Sequence, residues 1–179
     1  EYIDLGGGMG IDYDHDNSIL DFKKYSLDIE KFLKINNCKI IFEPGRSIIG
    51  SVGSLISKIT YIKKTKSKIF VILDCAMNDF LRPALYGAKH EILPTVKNNK
   101  KIKKTTEFVG PICETTDTFL KLSKFQSIKE GDNIAILNTG AYGMSLSSNY
   151  NVRPMPIEIL IKNKKSSVIL KRQKLNEIT

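Results

Sequence analysis

The chain has 179 residues, 41% of them hydrophobic and 26% charged, which is ordinary globular composition and long enough for one full domain or for parts of two. Its 28 Lys and Arg against 19 Asp and Glu give a net charge of +9, which suits an anionic ligand but settles no partner, because a lysine-heavy composition produces the same number. No apolar run approaches the roughly 20 residues of a membrane-spanning helix, and Cys38, Cys75 and Cys113 form neither a disulfide framework nor a zinc pattern, so a membrane location is not expected and a reduced, cytoplasmic one is.

From Tyr2 to Leu5 the chain reads as a short strand, entered directly from Glu1 as though the sequence opened in the middle of a domain. The strand runs into Gly6-Gly7-Gly8-Met9-Gly10, a loop with no side chains to obstruct its backbone amides. Asp12 to Asn17 is polar and irregular. Phe22, Tyr25, Ile29, Phe32 and Leu33 then recur at helical spacing until Asn36-Asn37 ends the pattern. Lys39 to Phe42 is a second strand with Glu43-Pro44-Gly45-Arg46 at its carboxyl end, which completes a βαβ unit.

After about Gly50 the pattern changes to β. Leu55 to Ile62, Ile69 to Asp74, Glu91 to Leu93, Thr106 to Val109, Phe119 to Phe125 and Asn133 to Leu137 read as strands, with a short helical or turn-like stretch at Asn78 to Tyr86 that Pro83 interrupts. Lys97 to Lys104 reads as a solvated loop. Ile157, Ile159, Ile161, Val168 and Leu170 predict a hairpin around a polar loop at Asn163 to Ser166.

Two motifs point to chemistry. The glycine cluster fails as a dinucleotide site because Ile11 stands where the third glycine is required, and no Lys-Ser or Lys-Thr follows to make a P-loop. A single-phosphate cradle and a plain tight turn both remain open. Glu43-Pro44-Gly45-Arg46 sits where strand ends of an α/β sheet or barrel converge on a ligand, and Arg46 offers a planar fork for phosphate or carboxylate. The carboxylate of Glu43 calls for a different partner, such as a protonated ring nitrogen, unless the pair is a surface ion pair on a Pro-Gly turn. His15 and His90 have no co-ligands in the pattern and read as structural or solvent-facing; Cys38 and Cys75 read as small buried apolar residues, and no metal site is expected.

The segments Asp4 to Ile11, Glu43 to Ile48, Met77 to Ala88, Gly110 to Asp117 and Gly140-Ala141-Tyr142 stand in the order seen in diaminopimelate decarboxylases, and the likeness runs on to Ser148-Asn149-Tyr150-Asn151 and Arg153-Pro154. The chain therefore resembles the C-terminal portion of that fold-type III, pyridoxal-phosphate-dependent family. The resemblance implies an α/β plus β fold: residues 1–50 as the last strands of an alanine-racemase-like (β/α)8 barrel, and residues 51–179 as a mostly antiparallel β domain carrying substrate and dimer-interface residues.

It also implies roles. Gly7, Gly8, Gly45 and Arg46 would hold the phosphate of pyridoxal 5'-phosphate, Glu43 would face its ring nitrogen, and Tyr142 would contact cofactor and substrate. Arg46, Arg82 and Tyr86 would contact the substrate, the two guanidiniums being suited to one of its carboxylates. Cys113 would be catalytic, returning a proton to carbon, and Glu114 would meet the distal ammonium, both delivered across a homodimer interface so that the active sites are shared. The implied reaction is decarboxylation of meso-2,6-diaminopimelate to L-lysine, the last step of lysine biosynthesis. The family's cofactor-anchoring lysine and ring-stacking histidine lie upstream of the residues present, so this stretch alone is expected to be inactive.

A decarboxylase of ornithine, arginine or carboxynorspermidine is the nearest alternative; it predicts aspartate beside the cysteine, where this chain has Glu114. A non-catalytic relative would have eroded the charged residues named above. Nucleic-acid binding by the basic Lys162 to Lys174 tail has only charge in its favour, and the alternating aliphatics inside it fit a hairpin better.

Overall fold

A computed structural model describes residues 1–13 and 19–178. The expectation for His15 and part of the irregular stretch before the first helix fall outside the described residues.

Strand β1 (Tyr2–Asp4), helix α1 (Phe22–Ile35) and strand β2 (Lys39–Ile41) form the expected βαβ unit, with β1 and β2 parallel and Ile3 opposite Ile40. Asp21 caps α1 by accepting the Lys24 amide at 3.0 Å, and Asn36 leaves helical geometry at its far end. The helix buries none of its residues, and its Phe22, Leu27 and Ile35 are exposed. Helix α2 (Gly45–Ile49) follows β2 and passes through a 3₁₀ turn at Gly50–Val52, so Pro44-Gly45 opens a helix rather than closing a surface turn.

The second part is a curled mixed sheet. Its elements are β3 (Leu55–Lys64), β4 (Lys68–Leu73), α3 (Arg82–Tyr86), β5 (Ile92–Pro94), β6 (Lys101–Ile102), β7 (Thr105–Val109), β8 (Thr118–Leu122), β9 (Phe125–Gln126) and β10 (Asn133–Ile136). Six strands pair in the order β5-β10-β3-β4-β7-β8, with β4 and β7 parallel and the other pairs antiparallel. Alternate residues point inward as the period of two requires, so Ile69, Val71 and Leu73 of β4 meet Ile59, Phe80, Phe108, Ile134 and Ile136 in one core. Phe108 and Phe125 pack edge to face at 4.9 Å.

Four local expectations change. The strand expected over Phe119 to Phe125 breaks at Ser123-Lys124 into β8, which pairs with β7, and β9, which pairs with β6. Lys101–Ile102 inside the lysine-rich stretch pairs with Phe125–Gln126, because Ile102 packs against the core. Pro83 does not interrupt α3 but sits in its first turn, where its missing N–H costs nothing. Strands β11 (Glu158–Lys162) and β12 (Lys165–Leu170) are joined by Asn163-Lys164 alone, both at positive φ, a two-residue turn tighter than the loop the sequence suggested; Ser166 belongs to the strand and pairs with Ile161.

Candidate functional site

The site starts with two loops at the ends of β1 and β2. Gly6 and Gly8 have φ of 66° and 79°, a left-handed backbone that glycine adopts without strain, and the Gly6 amide donates to Asp4 Oδ1 at 2.7 Å. The Glu43 amide donates to the Gly6 carbonyl at 2.8 Å, which holds the loops side by side. A Cβ on Gly7 would lie 2.6 Å from the Glu43 carbonyl oxygen, so only glycine allows this approach. The Gly45 amide is engaged with the Glu43 carbonyl at 2.8 Å. Among the described residues, the amides of Gly7, Gly8 and Arg46 have no such acceptor.

The sheet part is fastened to these loops through backbone. Gly140 N–H donates to the Gly50 carbonyl at 3.0 Å and Thr139 N–H to the Gly53 carbonyl at 2.9 Å. A Cβ on Gly53 would fall 2.5 Å from Gly140 Cα, and one on Gly140 would collide with the Ile49 carbonyl. This contact sets Tyr142 beside the first two loops, with its φ at 60°, a conformation costly for a bulky residue. Helix α3 supplies Arg82 and Tyr86 and ends at Gly87, whose φ of 61° makes the αL cap.

Arg82 is 6% exposed, and its guanidinium carbon lies 5.6 Å from the centres of both the Tyr86 and Tyr142 rings. Its Nε has no hydrogen-bond partner, and no carboxylate pairs with it among the described residues. A buried cation without an anion is costly unless a ligand supplies one.

These residues surround one cavity of about 720 Å³, within the size range of small-molecule sites. Gly7, Gly8, Glu43, Gly45 and Arg46 line one side of it, and Arg82, Tyr86 and Tyr142 the other. Cys113 and Glu114 do not line it. They sit on the loop between β7 and β8, with Cys113 exposed. Hydrogen bonds from the Thr116 amide and the Thr115 hydroxyl lower the pKa of the Glu114 carboxyl, so it is held ionised. Met9, Tyr13 and Lys89 also line the cavity and were not singled out from the sequence; Lys89 directly follows the recognised Met77 to Ala88 segment, which was the available signal.

His90, 1% exposed, is structural. Its Nδ1–H donates to the Leu137 carbonyl at 2.9 Å, so Nε2 is bare and has no partner, and burial lowers its pKa below the usual 6.5. Tyr13 and Phe80 pack edge-on to its ring at 4.9 and 4.7 Å. Burial pushes the Cys75 thiol far up, which makes it unreactive. The described residues contain no cluster of His, Cys, Asp and Glu able to hold a metal ion, and no helix long and apolar enough to cross a membrane.

Residues 13–140 match the family model described as "Pyridoxal-dependent decarboxylase, C-terminal sheet domain". The chain belongs to this family. Curated diaminopimelate decarboxylases of Zymomonas mobilis and Helicobacter pylori are 41% and 42% identical to it, over 99% of this chain and 42% and 44% of their own length. The crystal structure of the Helicobacter pylori diaminopimelate decarboxylase complexed with L-lysine superposes with a TM-score of 0.90 at 41% identity, covering 99% of this chain and 43% of that one. The chain thus spans less than half the length of the relatives it matches. Membership implies pyridoxal phosphate, and the residues present fit it: glycine-loop amides for a phosphate arm, a carboxylate in the same lining, and aromatic rings beside a cation.

Proposed function

We propose that this chain is the C-terminal part of a pyridoxal-phosphate-dependent decarboxylase that converts meso-2,6-diaminopimelate to L-lysine and carbon dioxide. The observation that carries this reading is the buried Arg82, without a carboxylate partner among the described residues, lining the cavity that Glu43 and Arg46 also line. Residues 1–50 are then the end of a (β/α)8 barrel and residues 51–179 the β domain, in a cytoplasmic homodimer.

The cofactor, when bound, supplies a conjugated cationic ring that accepts the electron pair left as carbon dioxide departs. The amides of Gly7, Gly8 and Arg46 bind its phosphate, and the bare backbone at Gly45 leaves room for it. Glu43 keeps the proton on the ring nitrogen, because a carboxylate stabilises the cationic form. Arg82 and Arg46 grip a substrate carboxylate with guanidinium forks, while Tyr86 and Tyr142 wall the cavity. Cys113 from a second copy donates the proton that replaces the lost carboxyl group at carbon, and its thiol is restored from water. Glu114 of that copy, ionised by its hydrogen bonds, binds the distal ammonium.

The test is product formation by a full-length protein carrying this chain, supplied with pyridoxal phosphate and meso-diaminopimelate, ornithine or arginine. L-lysine and carbon dioxide from meso-diaminopimelate at a kcat/KM at least a hundredfold above the other substrates is expected. Preference for ornithine or arginine would replace the substrate assignment with the polyamine-type one.

A further inference from the structure

The loop carrying Cys113 and Glu114 lies outside the cavity, yet it is tied to the segment that leads to Arg82. The tie is Asp117, a carboxylate only 3% exposed. Its Oδ2 accepts the Ile112 amide at 2.8 Å, directly before Cys113, and its Oδ1 accepts the Met77 amide at 2.8 Å, in the turn that runs into Arg82. Its own carbonyl accepts the Gly110 amide at 2.9 Å, closing the loop at its base. A Cβ on Gly110 would collide with both carboxylate oxygens, so the glycine makes the space this carboxylate occupies.

The other end of the tie is rigid. Ala76 N–H donates to Asp79 Oδ2 at 2.8 Å, and Arg153 donates to Asn78 Oδ1 at 3.0 Å and to the Asp74 carbonyl at 2.6 Å. Asn78 also shares hydrogen bonds with Ser148, which adds a third loop. Met77 is therefore a fixed post in a buried polar network, and two short bonds to one carboxyl group couple the exposed loop to it.

We propose that Asp117 is a positioning residue, whose carboxylate sets the placement of Cys113 and Glu114 and that of the Arg82 segment together. The functional meaning rests on the decarboxylase reading above. In a dimer with shared sites, Asp117 would link the group that binds substrate in one site to the groups presented to the other.

The test uses Asp117→Asn in the full-length, cofactor-loaded protein. Asn keeps one acceptor oxygen and turns an NH2 toward the other amide, so one bond becomes a donor facing a donor. Three readouts apply: backbone amide exchange at Met77 and Ile112, the alkylation rate of Cys113 by iodoacetamide followed by peptide mapping, and kcat and KM. Exchange should rise at least tenfold in both segments, Cys113 alkylation should change at least threefold, and kcat/KM should fall at least tenfold with cofactor absorbance retained. Faster exchange near Ile112 alone, or kcat/KM within twofold of wild type, would overturn the proposal. If the variant does not fold, the unmodified protein decides: the protection factors of the two amides should agree within tenfold, and a larger gap overturns the tie. A wild-type protein that binds cofactor but leaves meso-diaminopimelate unchanged would defeat the decarboxylase reading, while exchange and alkylation would still judge Asp117.

Discussion

Replacing Arg82 with Met keeps an unbranched stem, shortens the side chain and removes its charge. Two effects of opposite sign follow from the burial of that charge with no carboxylate partner among the described residues. In the ligand-free protein, losing contact with two aromatic rings costs about 0.5–1 kcal/mol each, while relief of an unpaired buried cation returns a similar or larger amount. The ligand-free protein should thus be within about 1 kcal/mol of wild type or more stable. Substrate recognition should suffer, since hydrogen bonds to a charged partner contribute about 1.5–3 kcal/mol each. Losing two of them lowers kcat/KM by about 10²- to 10⁴-fold at 1.4 kcal/mol per decade. Urea unfolding without ligand, and steady-state kinetics with meso-diaminopimelate, read the two quantities separately. A fall in kcat/KM below fivefold would refute the assignment of Arg82 to the substrate, and a stability loss above about 3 kcal/mol would show it to be a structural cation instead.

Gly7→Ala should weaken pyridoxal phosphate binding at least tenfold in an absorbance titration, because its Cβ would push the glycine loop off the Glu43 carbonyl 2.6 Å away. Gly140→Ala should lower stability by about 1–3 kcal/mol in urea, since its methyl meets the Ile49 backbone and threatens the bonds to Gly50 and Gly53. His90 takes up a proton more readily unfolded than folded, so its contribution to stability falls as pH drops through the usual imidazole value near 6.5. The urea midpoint should fall between pH 7.5 and 5.5, and His90→Asn should flatten that slope. Burial raises the carboxyls of Asp79 and Asp117, so their contribution has the other sign: it is fully present below the usual carboxylate value and is lost as pH rises through their folded values.

The sequence made the cavity legible because its parts are backbone devices with strict residue requirements. Gly7 must lack a side chain to lie on Glu43, and Arg82-Pro83 opens α3 where proline is tolerated. Strands such as β4 were readable from their alternation. What escaped were features set by partners distant in sequence. Ile102 forms a strand only because Phe125 meets it, and Tyr13 and Lys89 reach the cavity through loop placement that no periodicity encodes. Asp117 stood inside a recognised motif, but its two acceptor bonds depend on a turn 40 residues away.

A crystal structure of the full-length protein with pyridoxal phosphate bound tests the central claim most directly. The account predicts the phosphate oxygens at about 3 Å from the amides of Gly7, Gly8 and Arg46, with a Glu43 oxygen at about 3 Å from the ring nitrogen. A cofactor seated elsewhere, or one whose ring nitrogen faces solvent while Glu43 turns away, would contradict it.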